Sequence, residues 1–424
     1  MPVMPFSNSL IATERPHAEV LSQGDEIMIG DVTDTNSAWL SSALSTMGLE
    51  VIRHTSVGDR QDQIEQALKE IAQRSALCIS TGGLGPTVDD LTAEAVSKVF
   101  NRPLRSDPEA LMQIEAWFRR YGRPMPDINR RQALIPEGAV RLDNHWGTAP
   151  GFLIREGHCL LYFLPGVPSE MRHLFNAYIA PALSREFCIE PPKRWIFHTV
   201  GIGESALQEK IAPIPFPEGI RIGFKAGGAE NDLKLTLLPN AAEGELVLAG
   251  RAVLDCLGDQ VFAVSHGANT SMSLSGLVRA ALEAQQLTLY AIETLTAGEL
   301  STALMASGCI AGALYAPKGT DLLNAYHIPG GLSGEATARL LAMRVRETQK
   351  THLSLVQWHE AQAGDQEILL YSAVADDSEV HVEGRTLMGQ PDRLRRNAKA
   401  HGLDLLRRSL NLTASIPDHI LRSS

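Results

Sequence analysis

The sequence predicts an α/β protein whose first part contains a parallel sheet with helices on both faces. Three observations support this fold class. Apolar strand-like segments alternate strictly with amphipathic helix-like segments in the first part of the chain. Glycine-rich turns follow several of the strand-like segments. The chain has 424 residues, which is too long for one ordinary core, so we expect two to three domains.

The elements of the first part are predicted from their periodicity. Helices are expected where apolar residues recur every three to four positions, and strands where short apolar runs end in turn residues. Strands are predicted in this way at 18–22, 49–54, 76–80 and 160–164, and helices at 35–47, 60–74 and 170–183. A further helix is expected to begin near Asp89, after a run of glycines.

The later parts of the chain have a different pattern, more typical of a small α+β module followed by a third domain. Strands are predicted at 194–200, 219–224, 232–238 and 287–292, a helix at 298–306 and a linker at 265–269. The predicted organisation is a flexible extension (1–16), an α/β domain (17–185), a small α+β linking domain (186–264) and an α/β C-terminal domain (271–424).

Composition argues against several classes of partner. The formal net charge of −11 opposes non-specific binding to nucleic acid, so no nucleic-acid partner is expected. No apolar stretch approaches the roughly 20 residues that span a bilayer. The N-terminus lacks the features of a signal peptide. We therefore expect a cytoplasmic protein with no membrane partner. The five cysteines are scattered without a CxxC pair, which is typical of free thiols.

The sharpest motif is the run from Ser80 to Asp90, with the sequence Ser-Thr-Gly-Gly-Leu-Gly-Pro-Thr-Val-Asp-Asp. Glycines let a backbone turn tightly and approach a ligand closely. A helix start offers free N–H groups that suit phosphate. Asp89 and Asp90 could cap the helix or hold a divalent cation that bridges phosphate oxygens. We favour a ligand site here over a simple connecting turn.

Several other loops are expected at the same edge of the sheet, because the carboxyl ends of parallel strands meet there. They carry Gly24, Asp25, Glu26, Asp34, Asn36, Asp59, Gly147, Pro165, Gly166, Pro168 and Glu170. Asp34 is equally compatible with a helix cap and with a ligand contact. Together the loops predict a pocket rich in backbone donors and carboxylates.

These motifs, with 131–133, 147–152 and 164–171, resemble the molybdopterin-binding-like domain that opens proteins of the CinA family. The segments 201–205 and 222–224 resemble the small linking domain of that family. The resemblance covers nearly the whole chain after residue 16. It implies a three-layer, parallel-sheet first domain, a small α+β linking domain and an α/β C-terminal domain of the CinA type.

The resemblance also implies a function for the first domain in pyridine nucleotide salvage. The expected reaction is metal-dependent hydrolysis of the pyrophosphate of ADP-ribose, or of a related nucleotide diphosphate, with Mg, Mn or Co and with K⁺ as a helper ion. The expected catalytic residues are Asp34, Asp59, Asp89, Asp90 and Glu170, of which Asp89 and Asp90 would bind the metal. The expected nucleotide-binding residues are Gly24, Asp25, Glu26, Asn36, Thr81, Gly82, Gly83, Gly85, Pro86, Thr87, Gly147, Pro165, Gly166 and Pro168. The family also implies a homodimer.

The third domain resembles the nicotinamide mononucleotide deamidase that ends CinA proteins, but its motifs depart from the family. The family's Glu-Ser-Cys-Thr-Gly-Gly loop is Glu-Thr-Leu-Thr-Ala-Gly from Glu293, so Thr294 replaces the serine and Ala297 a glycine. In the best alignment Tyr315 keeps the family's tyrosine and Thr320 replaces the lysine that would activate the nucleophile, while a shifted alignment would match Lys318 to that lysine. A third motif is replaced around 358–364. A threonine without activating partners is a poor nucleophile. We therefore expect no release of ammonia.

Two alternatives to pyrophosphate hydrolysis stay open at this point. One is amide hydrolysis by the third domain. The other is a scaffold protein that binds a pterin or a nucleotide without turnover. Arg393, Arg395 and Arg396 form a basic cluster that we interpret as a solvated helix face.

Overall fold

The computed structural model describes residues 16–187, 189–238, 241–267, 272–306, 308–361 and 367–415. The chain divides into two compact units, Met1–Pro192 and Lys193–Ser424. The predicted extension, apart from its last residue, lies outside the described residues. The predicted C-terminal domain belongs to the second unit, as does the predicted linking domain apart from residues 186–192.

The first unit alternates strands and helices as its periodicity predicts. Its strands are β1 (His17–Gln23), β2 (Glu50–Val57), β3 (Leu77–Thr81), β4 (Leu104–Ser106), β5 (Leu134–Pro136), β6 (Val140–Leu142), β7 (Gly151–Glu156) and β8 (Cys159–Leu164). Its α-helices are α1 (Asp25–Met28), α2 (Thr35–Met47), α3 (Gln61–Arg74), α4 (Thr92–Val99), α5 (Pro108–Arg120), α6 (Pro168–Leu174) and α7 (Ala180–Glu186). A 3₁₀ helix covers Asp127–Ala133, and a π-helix at Phe175–Ile179 joins α6 to α7.

The main sheet of the first unit has the order β2-β1-β3-β8-β7-β6. The four strands from β2 to β8 are parallel, as predicted, whereas β7 and β6 are antiparallel to their neighbours. Apolar residues of α3, α4 and α5 cover one face, and those of α2, α6 and α7 cover the other. The predicted three-layer α/β fold is therefore confirmed.

The register of the parallel strands determines where their loops emerge. Gln23 pairs with Val57, Ser22 pairs with Thr81, and Thr81 pairs with Leu164. The carboxyl ends of β2, β1, β3 and β8 therefore lie in one row. We call this row and the loops that follow it the first edge.

The second unit contains two sheets. Its strands are β9 (Arg194–Val200), β10 (Ile220–Gly227), β11 (Glu230–Leu237), β12 (Val261–His266), β13 (Leu289–Glu293), β14 (Ile310–Tyr315), β15 (Leu353–Ala361), β16 (Glu367–Ala375) and β17 (Val380–Met388). Its α-helices are α8 (Glu204–Ile211), α9 (Glu243–Leu257), α10 (Leu274–Ala284), α11 (Glu299–Leu304), α12 (Gly319–Ala325), α13 (Gly334–Gln349) and α14 (Pro391–Ser409), with a 3₁₀ turn at Gly258–Gln260.

Both sheets of the second unit are covered by helices. The antiparallel sheet β10-β11-β9-β12 carries α8 and α9 on one face. The sheet β14-β13-β15-β16-β17 is parallel from β14 to β15 and antiparallel beyond. Helices α10, α11 and α14 cover one of its faces, and α13 lies on the other.

Two local predictions are wrong. The helix expected near Asp89 begins at Thr92, so neither Asp89 nor Asp90 belongs to it, and its N-terminal residue Leu91 provides no side-chain cap. The linker expected at 265–269 starts later, because Ser265 and His266 complete β12. The last two residues of that predicted linker lie outside the described residues. β12 extends through His266 because Ser265 and His266 pair with Ile196 and Trp195 of β9.

Candidate functional sites

The loops of the first edge are joined by hydrogen bonds between segments that are far apart in the sequence. Asn36 donates from Nδ2 to Thr81 Oγ1 (3.1 Å) and to the carbonyl oxygen of Gly166 (2.8 Å). Thr81 donates from Oγ1 to the carbonyl oxygen of Pro165 (3.0 Å). These predicted residues are brought together, but they hold the loops in place and leave few polar atoms for a ligand. Asn36 Oδ1 is buried without a partner among the described atoms.

The glycines of the 80–90 loop make room for the protein's own atoms. Gly82 and Gly83 have positive φ angles of 105° and 65°. A Cβ atom on Gly82 would lie 2.3 Å from the carbonyl oxygen of Gln23, and one on Gly83 would lie 2.3 Å from Thr92 Oγ1. Thr92 Oγ1 also donates to Gln23 Oε1 (2.7 Å). The glycines are therefore required by close packing of the loop against β1 and α4.

Asp90 closes this loop upon itself. Its carboxylate accepts hydrogen bonds from the backbone N–H of Gly85 (2.7 Å) and Thr87 (2.8 Å) and from Thr87 Oγ1 (2.5 Å). Asp89, in contrast, is exposed. Arg131 donates to the carbonyl oxygen of Thr87 (2.6 Å) and stabilises the loop from outside. Pro86 lies half-buried within the same turn.

Asp25 and Asp59 form a reciprocal pair at the first edge. Asp25 N–H donates to Asp59 Oδ2, and Asp59 N–H donates to Asp25 Oδ1, each over 3.0 Å. Burial raises the pKa of Asp59, and repulsion from Asp25, Glu26 and Asp89 raises it further. Four predicted site carboxylates are therefore close enough to repel one another. Gly24 allows Glu26 to fold back, because a Cβ on Gly24 would lie 2.5 Å from both carboxylate oxygens of Glu26.

The two remaining predicted catalytic carboxylates have structural partners. Asp34 caps α2 by accepting from the N–H of Ser37 (2.9 Å). Although burial alone would raise it, the hydrogen bonds from Ser37 lower the pKa of Asp34. Glu170 lies in the first turn of α6, which begins at Pro168, and accepts from Asn144 Nδ2 (2.6 Å). Burial raises the pKa of Glu170.

Oxygen donors of this kind suit Mg²⁺ or Mn²⁺ in their chemistry. Within the described ranges, however, no three His, Cys, Asp or Glu side chains are grouped closely enough to hold a metal ion. Asp90, a predicted metal ligand, already has both carboxylate oxygens occupied by its own loop. The first edge therefore has the charge for a cation but no preformed ligand set.

A second edge lies in the second unit, at the carboxyl ends of the parallel strands β14, β13 and β15. Glu293 ends β13 and is 1% exposed. Its carboxylate accepts from Thr296 Oγ1 and from the N–H groups of Gly298 (3.1 Å), Leu300 (3.2 Å) and Ser301 (2.8 Å). Glu293 therefore fixes the loop 294–298 and the start of α11.

Thr294 has a histidine partner that was not predicted from the sequence. His359 Nδ1 lies 2.7 Å from Thr294 Oγ1, and the carbonyl oxygen of Gln357 lies 3.0 Å from the same hydroxyl oxygen. Thr294 is 2% exposed. Burial lowers the pKa of His359, so the imidazole is neutral at pH 7 and can accept a proton. The expectation of an isolated threonine is therefore wrong.

The signal for His359 was weak in the sequence. The residue lies in the segment where the family motif is replaced, on strand β15 and two positions after Gln357. Residues two apart on a strand point to the same face. That spacing could have predicted that the imidazole lies near the Gln357 carbonyl oxygen, which Thr294 contacts. The prediction would have required the pairing of β13 with β15 to be known.

The structure also shows where the other positions of the altered family motifs lie. Ala297 keeps the left-handed conformation that glycine favours, with φ 53°. Tyr315 pairs in register with Glu293 and is 44% exposed. Lys318 precedes α12 at the same edge and is exposed, and Thr320 lies inside that helix. The edge therefore keeps a tyrosine and a lysine near the threonine loop.

The fold and the two sites define a multidomain α/β protein. In each unit, loops with polar side chains follow the carboxyl ends of parallel strands, which is where α/β proteins bind ligands. The family model for a probable molybdopterin binding domain matches residues 19–185. A putative competence-damage inducible protein of Caldanaerobacter subterraneus is 30% identical over 413 residues, which cover 92% of this chain and 98% of that protein. The chain belongs to the CinA family.

The chain is also similar to one further relative and to one solved structure. The protein named nicotinamide-nucleotide amidohydrolase PncC of Shewanella oneidensis is 33% identical over 298 residues, 68% of this chain and 67% of that protein. The solved structure of the CinA protein of unknown function from Thermoplasma acidophilum is 35% identical, covers 39% of this chain and 98% of that chain, and has a TM-score of 0.37. Among the described helices, none is long and apolar enough to cross a membrane.

Proposed function

We propose that the second unit hydrolyses the carboxamide of a nicotinamide nucleotide. The observation that carries this proposal is the 2.7 Å contact between Thr294 Oγ1 and His359 Nδ1. A hydroxyl and a neutral imidazole at this separation form a nucleophile–base pair. The name of the Shewanella oneidensis relative supports nicotinamide nucleotides as the substrate class. This proposal replaces both pyrophosphate hydrolysis as the first choice and the expectation of no ammonia release.

The chemistry needs only groups that this chain holds, together with water. The Thr294 hydroxyl gives its proton to His359, and Oγ1 forms a bond to the amide carbon. His359 then gives the proton to the departing nitrogen, which leaves as ammonia when the carbon–nitrogen bond breaks. Water, deprotonated by the same imidazole, hydrolyses the ester and restores the threonine.

The hydroxyl proton of Thr294 must point to His359 for this step. Thr294 Oγ1 has one proton and two acceptors, the imidazole at 2.7 Å and the carbonyl oxygen of Gln357 at 3.0 Å. The shorter contact favours the imidazole when Nδ1 carries no proton. The lowered pKa of His359 keeps that nitrogen available at neutral pH.

The test is the release of ammonia from nicotinamide mononucleotide by the full-length chain. We expect Thr294→Ala and His359→Ala to lower kcat by about 100-fold or more, and Thr294→Ser to retain turnover. Thr302→Ala is the matched control, because Thr302 is exposed on α11. No ammonia from the wild-type chain, or undiminished release by Thr294→Ala, would overturn the proposal.

A second candidate function belongs to the first edge, where one specific observation favours it. The pKa of Asp59 is raised by burial and by repulsion from three other carboxylates, and a cation would relieve that repulsion. This environment supports hydrolysis of the pyrophosphate of ADP-ribose, the reaction that the family resemblance implies. Asp25 and Asp59 are the residues that would hold the ion, whereas Asp90 serves the loop.

The second candidate is tested by the release of AMP from ADP-ribose, measured with Mg²⁺, Mn²⁺ or Co²⁺ and with or without K⁺. We expect metal-dependent turnover that Asp59→Asn and Asp25→Asn lower by at least tenfold. Asp62→Asn is the control, since Asp62 is exposed and forms an ion pair with the exposed Arg60. Turnover without added metal, or equal turnover by all variants, would exclude the role.

A further inference from the structure

A cavity in the second unit has no part in either proposed reaction. Its volume is about 460 Å³. It lies between the loop after β9, the turn between β10 and β11, the end of β17 and one face of α14. Neither Thr294 nor His359 lines it. The volume is in the range typical of small-molecule pockets.

Three arginines give this cavity its charge. Arg385 comes from β17, and Arg393 and Arg396 follow one another on a face of α14. Arg385 donates to the carbonyl oxygen of Gly201 (2.7 Å). Arg396 donates weakly to the carbonyl oxygen of Asp392 (3.4 Å). Throughout the described part of the chain, none of the three has a carboxylate within salt-bridge distance.

The neighbouring arginines Arg395 and Arg408, in contrast, form ion pairs with carboxylates. Arg395 contacts Asp392 and Glu299 (3.6 Å for the latter). Arg408 forms a two-pronged ion pair with Glu383. Arg393 and Arg396 are exposed, as predicted for a solvated helix face, and they line the cavity, whereas the half-buried Arg395 contacts α11.

Little negative charge opposes the three arginines inside the cavity. Asp404 is the acidic residue among the lining side chains, and it accepts from Arg407 Nε (2.8 Å) and Arg408 Nε (3.2 Å). Burial lowers the pKa of His401 to about 4, so this lining residue is neutral at pH 7. The cavity is a basic site on a chain whose net charge is −11.

Glycines shape the wall opposite α14. Gly201 and Gly228 have positive φ angles of 74° and 83°. A Cβ atom on Gly201 would lie 3.0 Å from Arg385 Nη1, and one on Gly228 would lie 3.6 Å from Arg396 Nη1. Gly201 thus gives the Arg385 guanidinium space against the backbone, whereas a Cβ on Gly228 would make only an ordinary contact with Arg396. A Cβ on Gly203 would meet no atom within 4 Å, so the cavity is open at that point.

We propose that this cavity binds a phosphorylated small molecule of nucleotide size. Guanidinium groups bind phosphate oxygens through paired, charge-assisted hydrogen bonds. The lining also offers apolar contacts from Ile202, Leu387 and Met388 to the rest of the molecule. The site is separate from the Thr294–His359 pair. The proposal goes beyond the proposed function, and it stands or falls without it.

The experiment is a calorimetric titration of the full-length chain with AMP, ADP and inorganic phosphate. We expect ADP and AMP to bind more tightly than inorganic phosphate, and more weakly as the salt concentration rises. Arg385→Gln and Arg396→Gln should each weaken ADP binding about tenfold or more, the effect of losing a charge-assisted hydrogen bond. Thr294→Ala should bind ADP as the wild type does.

The matched control is Arg395→Gln on the same helix, since Arg395 is held by Glu299 and Asp392. Its affinity for ADP should be unchanged, and thermal melting should show that all variants fold. Unchanged affinity in Arg385→Gln and Arg396→Gln would overturn the proposal. So would an equal loss in Arg395→Gln, or inorganic phosphate binding as tightly as ADP.

Discussion

The first and second edges use the same architectural position in opposite ways. At the first edge the motif is complete, but Asp90 accepts hydrogen bonds from its own loop, and Asn36 donates its hydrogen bonds to neighbouring loops. At the second edge the motif has changed, yet Thr294 lies 2.7 Å from a neutral imidazole. A motif that matches its family can therefore stabilise a loop, and a motif that departs from its family can still place a hydroxyl beside an imidazole.

The difference extends to how each loop is fixed. Glu293 is buried and accepts four hydrogen bonds, three of them from backbone N–H groups. Asp90 accepts three hydrogen bonds in a half-exposed turn. Losing a partner in a buried network costs more than losing one near solvent. Stability measurements can therefore separate the two edges independently of any reaction.

The largest effect is expected from Glu293→Gln. The amide presents donors to N–H groups that also donate, and we expect a loss of roughly 3 kcal/mol in the free energy of unfolding. Asp90→Asn should cost about 1 kcal/mol, because water can replace its bonds. Urea unfolding of both variants checks the prediction. Equal losses would mean that the two carboxylates support their loops to the same extent.

A smaller difference is expected for substitutions at left-handed positions. Gly82→Ala places a methyl group 2.3 Å from the carbonyl oxygen of Gln23 at φ 105°, and should cost about 2 kcal/mol. Ala297→Gly removes backbone strain at φ 53° but adds freedom to the unfolded chain, so its effect should stay within about 1 kcal/mol. Thermal melting of both variants is the measurement. A larger cost for Ala297→Gly would reverse the comparison.

The pH dependence of ammonia release follows from His359. Its pKa is lowered by burial, so the imidazole stays neutral below the ordinary value of 6.5. We expect kcat to be constant from pH 8 to about 6.5 and to fall tenfold per pH unit only in more acidic solution. A profile that already falls above pH 7 would indicate a different base. Thr294→Ser should keep the same profile, since its imidazole is unchanged.

The smallest effect is expected at the first edge, from Asp59→Asn. Because the pKa of Asp59 is raised in the folded state, its charge opposes folding at neutral pH, and this penalty disappears as pH falls below the carboxyl range. The variant should therefore melt at a slightly higher temperature at pH 7 and at the wild-type temperature in acid. Asp62→Asn serves as the comparison. A lower melting temperature at pH 7 would show that the carboxylate stabilises the edge.

The fold was largely predictable from the sequence. Alternating apolar periods placed β9 and α2 at their observed bounds, and β1, β2, β3, β8 and β13 to within one to three residues. The parallel strands β14 and β15 were not predicted. The glycine and carboxylate residues that follow the predicted strands correctly predicted that these loops would meet at one edge of the sheet. These features depend on local periodicity and turn chemistry, which each short segment carries by itself.

What those residues do there was decided by tertiary structure. Thr294 and His359 are 65 positions apart, and only the pairing of β13 with β15 brings them together. Asp90 bonds back to its loop because α4 starts at Thr92 and not at Asp89. The sequence by itself therefore determined the fold class and the location of the first edge. Only the register between distant strands decided which side chains meet, because a hydrogen bond depends on tenths of an ångström that no local pattern encodes.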